Sequence, residues 1–368
     1  MHITQCLGGV ETYLRSFHSH GAFSQFDRRI LVTPEESVLS DEWRSAGGEV
    51  VVLKMGRSIN PWSDALVLFA LIKLIRSTKP DVLHLHSSKA GALGRIAALA
   101  CRRSVKAQRV FYTPHAYFYL GLSGIKRAAF LWVERFLARF ADVLMATSDS
   151  EASRSVTEVG YQRDSVCVVS NGVELRTGRR VMPADVETRE IIFVGRICFQ
   201  KNVEMLAKVI GHFTAEDRVR FKVVGVGHYQ SDSELLDGLF DEFHVDRSIV
   251  QVIPWLPREA VLAAFDNSDL CIVTSRYESF GYVAAEAAAA GLPVVATNVD
   301  GLRDIVRDGE TGFLIPMSDT ARFVNCIRVL LGDAELAERM GAKGRQRVSE
   351  FFSVERNARL MSSMYSGA

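Results

Sequence analysis

The sequence predicts an α/β protein built from two doubly wound parallel sheets that face each other across a cleft. Three observations carry that prediction. Short runs rich in β-branched residues alternate with helical patterns almost throughout, which is the mark of successive βαβ units. The alternation comes in two series, with candidate strands at 2–6, 29–33, 50–53, 82–85, 109–113, 143–146 and 166–169, then at 191–194, 220–224, 250–253, 270–273, 294–297 and 313–315. Between them the turn dipeptide Asn171-Gly172 leads into a polar, charged stretch without sustained periodicity, read as a linker over 174–190. Domains are therefore expected at 1–173 and 191–350, with an amphipathic last helix inside 351–368.

At 368 residues and 48% hydrophobic, the chain is long enough for two ordinary cores. No run of about 18 uncharged apolar residues predicts a membrane span, and no basic cap with an apolar segment predicts a secretory leader. The six cysteines are dispersed, without a Cys-x-x-Cys pair or histidines at metal spacing. They read as reduced residues of a cytoplasmic protein, with neither a zinc site nor a disulfide framework. The net charge of +1 hides an asymmetry: residues 1–180 hold 24 Lys+Arg against 16 Asp+Glu, a net +8, which leaves −7 for residues 181–368. So basic a first domain suggests an anionic partner, such as a lipid phosphate or the inner face of the plasma membrane, with peripheral attachment. No nucleic-acid module accompanies it, and nucleic acid is not an expected partner.

Gly8 and Gly9 follow the first strand, which is short, and open a helix, so the backbone there can approach a phosphate or a sugar. Gly-Gly alone is commonly a turn. The segment 81–95, DVLHLHSSKAGALGR, reads as a buried strand, a polar turn and a helix packed closely through Gly91 and Gly94. His84 and His86 share one strand face, but two ligands without a third nearby are little evidence for a metal. His115, in TPHAYFY, stands at a strand end, where a lone histidine is more often structural. Tyr117, Phe118 and Tyr119 after it offer either a wall for a sugar or packing for the loop. In the helical pattern over 120–141 the stripe from Phe130 to Phe140 reads as a core face somewhat more readily than as a membrane face, while Lys126 and Arg127 with the preceding loop are the better membrane candidates.

In the second series, FVGRICFQKN places Gly195 at the end of a strand, with Arg196 and Lys201 where a planar fork and a point charge can converge on a pyrophosphate. VVGVGH, at 223–228, lacks the third glycine of a dinucleotide fingerprint. The most informative stretch is 275–286, SRYESFGYVAAE, which runs on through AAAAGLPVVAT to Thr297. It reads as a turn after a strand, a helix from about Tyr282 to Ala290 stopped by Gly291 and Pro293, and another strand. The N–H groups of Phe280, Gly281 and Tyr282 would meet a diphosphate at the helix start. Glu278 and Glu286, about two turns apart, would offer carboxylates to vicinal sugar hydroxyls. A helix-dipole partner and a solvated surface charge are the plainer readings of those two glutamates.

Glu278-x7-Glu286 with its flanking residues, together with Val-Gly-Arg196 and Lys201-Asn202, resembles the signature of retaining glycosyltransferases of family 4, which have the GT-B fold of two Rossmann-like domains. The 81–95 segment is similar to its counterpart in bacterial cell-surface polysaccharide glycosyltransferases, where the Ser-Ser-Lys turn lies near the acceptor. The resemblance implies that Gly8 and Gly9 form the first glycine loop, and that Arg196, Lys201 and the backbone from Ser279 to Tyr282 hold the donor diphosphate. It implies that Glu286 holds the ribose, that Glu278 contacts the transferred sugar, and that His115 orients that sugar. The donor would be a nucleotide-diphosphate sugar, a UDP-sugar by preference, carrying a hexose or N-acetylhexosamine. The acceptor would be a glycan or a polyprenyl-diphosphate-linked glycan. No metal or other cofactor is expected, because the Asp-x-Asp metal motif is missing. Val226 and His228 depart from the family pattern. The alternative is a catalytically silent sugar-nucleotide-binding subunit that partners an active transferase.

Overall fold

Every stretch expected to be a strand contributes one in the computed structural model, which describes residues 1–5, 8–56, 58–105, 108–175, 187–227 and 232–367. The chain divides into two units, Met1–Gly172 with Val354–Ala368, and Val173–Ser353. Residues 176–186 of the expected linker, and His228, lie outside the described residues.

The first unit holds β1 (His2–Thr4), β2 (Ile30–Thr33), β3 (Glu49–Val52), β4 (Val82–His86), β5 (Arg109–Thr113), β6 (Val143–Ala146) and β7 (Val166–Val168). They form one sheet in the order β3-β2-β1-β4-β5-β6-β7, parallel throughout. The second unit holds β8 (Arg189–Val194), β9 (Val219–Val226), β10 (Val250–Pro254), β11 (Leu270–Val273), β12 (Val294–Thr297) and β13 (Gly312–Ile315), in the order β10-β9-β8-β11-β12-β13, also parallel. Strands β2, β4, β11 and β12 are buried along their whole length. Helices cover both faces of such a sheet, so its central strands read as continuous apolar runs and not as alternating ones. Strand order reverses between β1 and β4, and again between β8 and β11. The loops at the carboxyl ends of those strands are where doubly wound sheets bind ligands.

In the first unit the helix Ser88–Cys101 lies directly on the sheet. A Cβ added to Gly91 would sit 2.3 Å from Cε2 of Tyr112, and one on Gly94 would sit 2.3 Å from Cδ2 of Leu85. Any larger residue would lift the helix and the loop that starts it. The last helix, Val354–Ser366, buries Val354, Asn357, Ala358, Met361 and Tyr365 along one stripe. Ala358, Met361 and Tyr365 join the cluster of Val10, Tyr13, Leu14 and Phe17. The end of the chain is thus core of the first unit.

One reading needs correcting. The helix Gly124–Leu137 is not a core helix over most of its surface: only Leu131, Glu134 and Leu137 are buried, while Ile125, Trp132, Val133 and Phe136 are exposed. The helix Pro61–Thr78 likewise exposes Trp62, Leu66 and Phe69. Among the described residues, no helix is long and apolar enough to cross a membrane.

Candidate functional site

In the second unit the reversal of strand order brings the ends of β8 and β11 side by side. Gly195 closes β8, and Thr274 Oγ1, just after β11, donates to the carbonyl of Lys201 at 2.8 Å. This bond fixes the turn that carries Lys201 against the turn that carries Glu278. Lys201 Nζ then lies 2.6 Å from Glu278 Oε1, which also accepts from Ser275 Oγ at 2.9 Å. Glu278 Oε2 has no partner among the described residues, so one carboxylate oxygen remains for a ligand hydroxyl. The backbone is tied down as well, with Gly301 N donating to the Glu278 carbonyl at 3.1 Å and Glu278 N donating to Asp300 at 3.3 Å. Arg196, at the same edge, has no ion pair or side-chain hydrogen bond among the described residues. It is a cation without a counter-charge in place.

Gly281 has φ +101°, a conformation that other residues adopt only with strain, and a Cβ there would lie 2.7 Å from Leu302 Cδ2, which would have to move. The helix Tyr282–Ala289 starts at Gly281 without a side-chain cap, which leaves its first N–H groups for a ligand. Ser279 lies on the approach to this turn. Phe280 takes no part through its side chain, since its ring is buried against Tyr282 and Phe352. Glu286 is buried, which removes the reading of it as a solvated charge. Its carboxylate lies 3.3 Å from Arg258. Burial pushes the Glu286 pKa up to about 7, against the pull of Arg258 and with a further push from Glu174. Arg258 went unnoticed in the sequence because it belongs to another helix, Arg258–Asp266, and no spacing links it to Glu286.

In the first unit the corresponding reversal lies between β1 and β4. Gly8, with φ +83°, and Gly9 start the helix Gly9–Ser19, and a Cβ on either would meet nothing within 4 Å. The loop faces open space. His115 and Ala116, after β5, both have positive φ, at 52° and 72°, a strained pair for residues with side chains. Glu151 holds the pair in place: its carboxylate accepts from Ala116 N at 2.9 Å and from Thr147 N at 2.8 Å. Burial raises the Glu151 pKa, and these donors pull it back.

Behind His115 stands a chain of imidazoles. His115 Nε2 lies 3.1 Å from His86 Nδ1, and His86 Nε2 lies 3.0 Å from His2 Nδ1. His84 is held by Tyr365 and by Thr113 Oγ1. The fold thus supplies the third histidine that the sequence lacked, and His2, His84 and His86 bring nitrogens within 4.8 Å of one another. Both ring nitrogens of His84 and of His86 are already hydrogen-bonded, and no carboxylate stands among them to balance a cation. The cluster is a hydrogen-bonded network. Burial drives His2, His84 and His86 well below the ordinary histidine range, and pushes His115 down to about 3. At neutral pH His115 is therefore uncharged.

Two family models account for most of the chain: glycosyl transferases group 1 over residues 176–347 and a glycosyl transferase 4-like domain over residues 8–172. The chain belongs to the GT-B glycosyltransferases. It is 26% identical over 362 residues to the UDP-Gal:alpha-D-GlcNAc-diphosphoundecaprenol alpha-1,3-galactosyltransferase of Escherichia coli, covering 93% of this chain and 89% of that one. It is 26% identical over 333 residues to a capsular polysaccharide biosynthesis glycosyltransferase of Staphylococcus aureus, covering 85% and 84%. The Anabaena protein HepE, solved in complex with UDP and glucose, matches all of this chain and 99% of its own with a TM-score of 0.82 at 19% identity. That last likeness is one of fold.

Proposed function

We propose that this glycosyltransferase transfers a hexose or N-acetylhexosamine from a UDP-sugar, with retention of anomeric configuration, to a hydroxyl of a lipid-linked glycan. The observation that carries the donor assignment is the grouping of Arg196, Lys201 and Glu278 beside the uncapped helix start at Gly281, with Glu286 buried on the same helix. An unpaired guanidinium, an ammonium and free N–H groups suit a diphosphate. Arg196 and Lys201 stabilise it as negative charge grows on the leaving group, so no metal is invoked. Glu286 accepts from the ribose hydroxyls, and the unpartnered oxygen of Glu278 accepts from the transferred sugar. His115, neutral, is the first unit's hydrogen-bonding group for a sugar.

The bond from the anomeric carbon to the phosphate oxygen breaks as the acceptor oxygen bonds to the same face. The departing diphosphate oxygen takes the acceptor proton, and no protein nucleophile is required. The lipid-linked acceptor is supported by the E. coli relative, whose name specifies such a substrate, and by the basic first unit. The exposed Trp62, Leu66, Phe69, Ile125, Trp132 and Phe136 support a peripheral position on an anionic membrane surface facing the cytoplasm.

Donor turnover tests the reading. The purified chain incubated with UDP-sugars and a prenyl-diphosphate-linked monosaccharide should release UDP and form an α-linked product from an α-linked donor. A folded chain that binds UDP yet turns over no donor with any acceptor would favour the silent partner subunit. An inverted product would refute retention.

A further inference from the structure

Three imidazoles of the first unit are joined end to end. His115 Nε2 meets His86 Nδ1 at 3.1 Å, and His86 Nε2 meets His2 Nδ1 at 3.0 Å. Strand pairing sets the spacing: β1 and β4 run parallel with His2 opposite His84 and Thr4 opposite His86, so the three strand histidines project from one face of the sheet. His84 stands outside the chain, its two nitrogens taken by Tyr365 and Thr113 Oγ1. The strained turn at His115 and Ala116, tied down by Glu151, brings in the third ring with Nε2 toward His86. Nδ1 of His115 has no partner among the described residues, and the residue lines the wall of the adjoining cavity.

A neutral imidazole carries one hydrogen, so one nitrogen donates and the other accepts. Each contact in this chain joins nitrogen to nitrogen and needs a single hydrogen between them. Burial holds all three rings far below the ordinary histidine range, so they are neutral at physiological pH. His86 can therefore neither donate twice nor accept twice, and only two arrangements satisfy both contacts. In one, the hydrogens sit on Nδ1 of His2, His86 and His115, and the last N–H belongs to His115. In the other, they sit on Nε2 of all three, and the last N–H belongs to His2.

The two ends differ. His2 keeps 6% of its surface and packs against the rings of Phe23, Trp43 and Tyr365, and the Tyr365 hydroxyl is already taken by His84. Among the described residues nothing accepts from His2 Nε2. A stranded N–H costs more than a stranded lone pair, which is why orphaned buried N–H groups are the rarer of the two. His115 is only half-buried and borders the cavity, where water or a ligand accepts its hydrogen. We propose that His2 and His86 are positioning residues for His115: they fix its hydrogen on Nδ1, so that His115 offers its ligand a donor and recognises a sugar oxygen by its lone pair. This rests on the reading of His115 as the first unit's hydrogen-bonding group for a sugar, and gives that bond a direction.

Nitrogen NMR of the full chain carrying isotope-labelled histidine, recorded at pH 7.5, tests this, because the protonated and bare nitrogens of a neutral imidazole resonate far apart. The His115 signals, identified by their loss in His115→Gln, are expected to show the hydrogen on Nδ1. In His86→Leu that preference should be lost and both tautomers populated. His86→Asn, whose amide N–H stands where the imidazole Nδ1–H stood, should restore it. His2→Phe makes the same test from the far end if His86→Leu misfolds, since nothing then donates to His86 and the two arrangements become alike. Turnover of a UDP-sugar gives a second readout: kcat should fall at least tenfold in His86→Leu and return to within threefold of the parent in His86→Asn, with UDP affinity within twofold throughout. Hydrogen on Nε2 of His115 in the parent chain would overturn the proposal, as would a tautomer unmoved by His86→Leu or His2→Phe. A loss of kcat in His86→Asn as large as in His86→Leu, with the Nδ1 hydrogen kept, would reduce His86 to packing and overturn it too. The tautomer is read without nucleotide, so the two readings fail separately. Hydrogen on Nε2 in a chain that turns over donor refutes the positioning alone, while hydrogen on Nδ1 in a chain that binds no nucleotide refutes the donor site and leaves the positioning.

Discussion

The two units share one construction, a parallel sheet whose strand order reverses once, yet they line the reversal point with opposite chemistry. The first unit places imidazoles stripped of charge by burial there, with the Lys89–Asp64 ion pair and Glu134 on the wall of the cavity beside them. The second places charge there: the Lys201–Glu278 pair, the unpaired Arg196 and the buried Glu286 facing Arg258. The same topology therefore yields a set of neutral imidazoles in one unit and a set of charges suited to a diphosphate in the other. Shared architecture says where a ligand binds, and the side chains say which.

The sharpest way to break the comparison is to remove charge from the second site. Glu278→Gln keeps shape but deprives the sugar of a carboxylate and leaves Lys201 unpaired; transfer is expected to fall by roughly a hundredfold or more. UDP affinity, measured by calorimetry, should change much less. A hundredfold loss in both would mean that Glu278 builds the nucleotide site and does not serve the sugar.

The units should also answer pH in opposite directions. His2, His84 and His86 have depressed pKa values in the folded chain, so below about 6.5 the unfolded chain takes up protons that the folded chain cannot. Each contributes a loss of roughly 1.4 kcal/mol per pH unit below that point. Glu286, raised to about 7, works the other way. Between about 4.5 and 7 the folded chain keeps a proton that the unfolded chain has released, so the second unit gains stability as pH falls through that window. Hydrogen exchange resolved by peptide, compared at pH 7.5 and 5.5, should show the first unit loosening and the second holding. Parallel loosening of both would contradict the burial of Glu286.

A smaller effect isolates Glu286 itself. If the ribose needs the ionised carboxylate, UDP binding should release about three-quarters of a proton at pH 6.5 and tighten between pH 6 and 8. Calorimetry in buffers of different ionisation heats measures this, and Glu286→Gln should abolish it. The smallest expected change is in the first unit's network. Tyr365→Phe removes the hydroxyl bonded to His84 and should destabilise the chain by about 1–2 kcal/mol, read as a lowered urea midpoint, with donor binding unchanged.

The strands were legible because a doubly wound sheet buries its central strands on both faces, and uninterrupted β-branched runs such as Leu270–Val273 record that directly. Gly91 and Gly94 were legible for a related reason: each stands where a neighbouring side chain leaves little room for a Cβ. Contacts between distant segments left no such trace. Lys201 and Glu278 were each singled out, but their ion pair spans 77 positions and depends on β8 lying beside β11. His2 reaches His86 across 84 positions through β1 and β4. Glu151 and Arg258 were missed altogether, because their work is done on loops and helices that periodicity does not connect to them. The exposed face of Gly124–Leu137 was misread, since an apolar helix in a sequence does not say which of its sides has a neighbour.

The central claim is that the second unit holds a nucleotide diphosphate between Arg196 and Glu286, and calorimetric titration of UDP, GDP and their common sugar conjugates into the metal-free chain tests it most directly. The expected result is selective binding of the uridine ligands, weakened at least tenfold in both Arg196→Ala and Glu286→Ala while the urea midpoint of each variant stays close to that of the parent chain. Absence of nucleotide binding to the folded chain, or uridine binding untouched by either substitution, would contradict it.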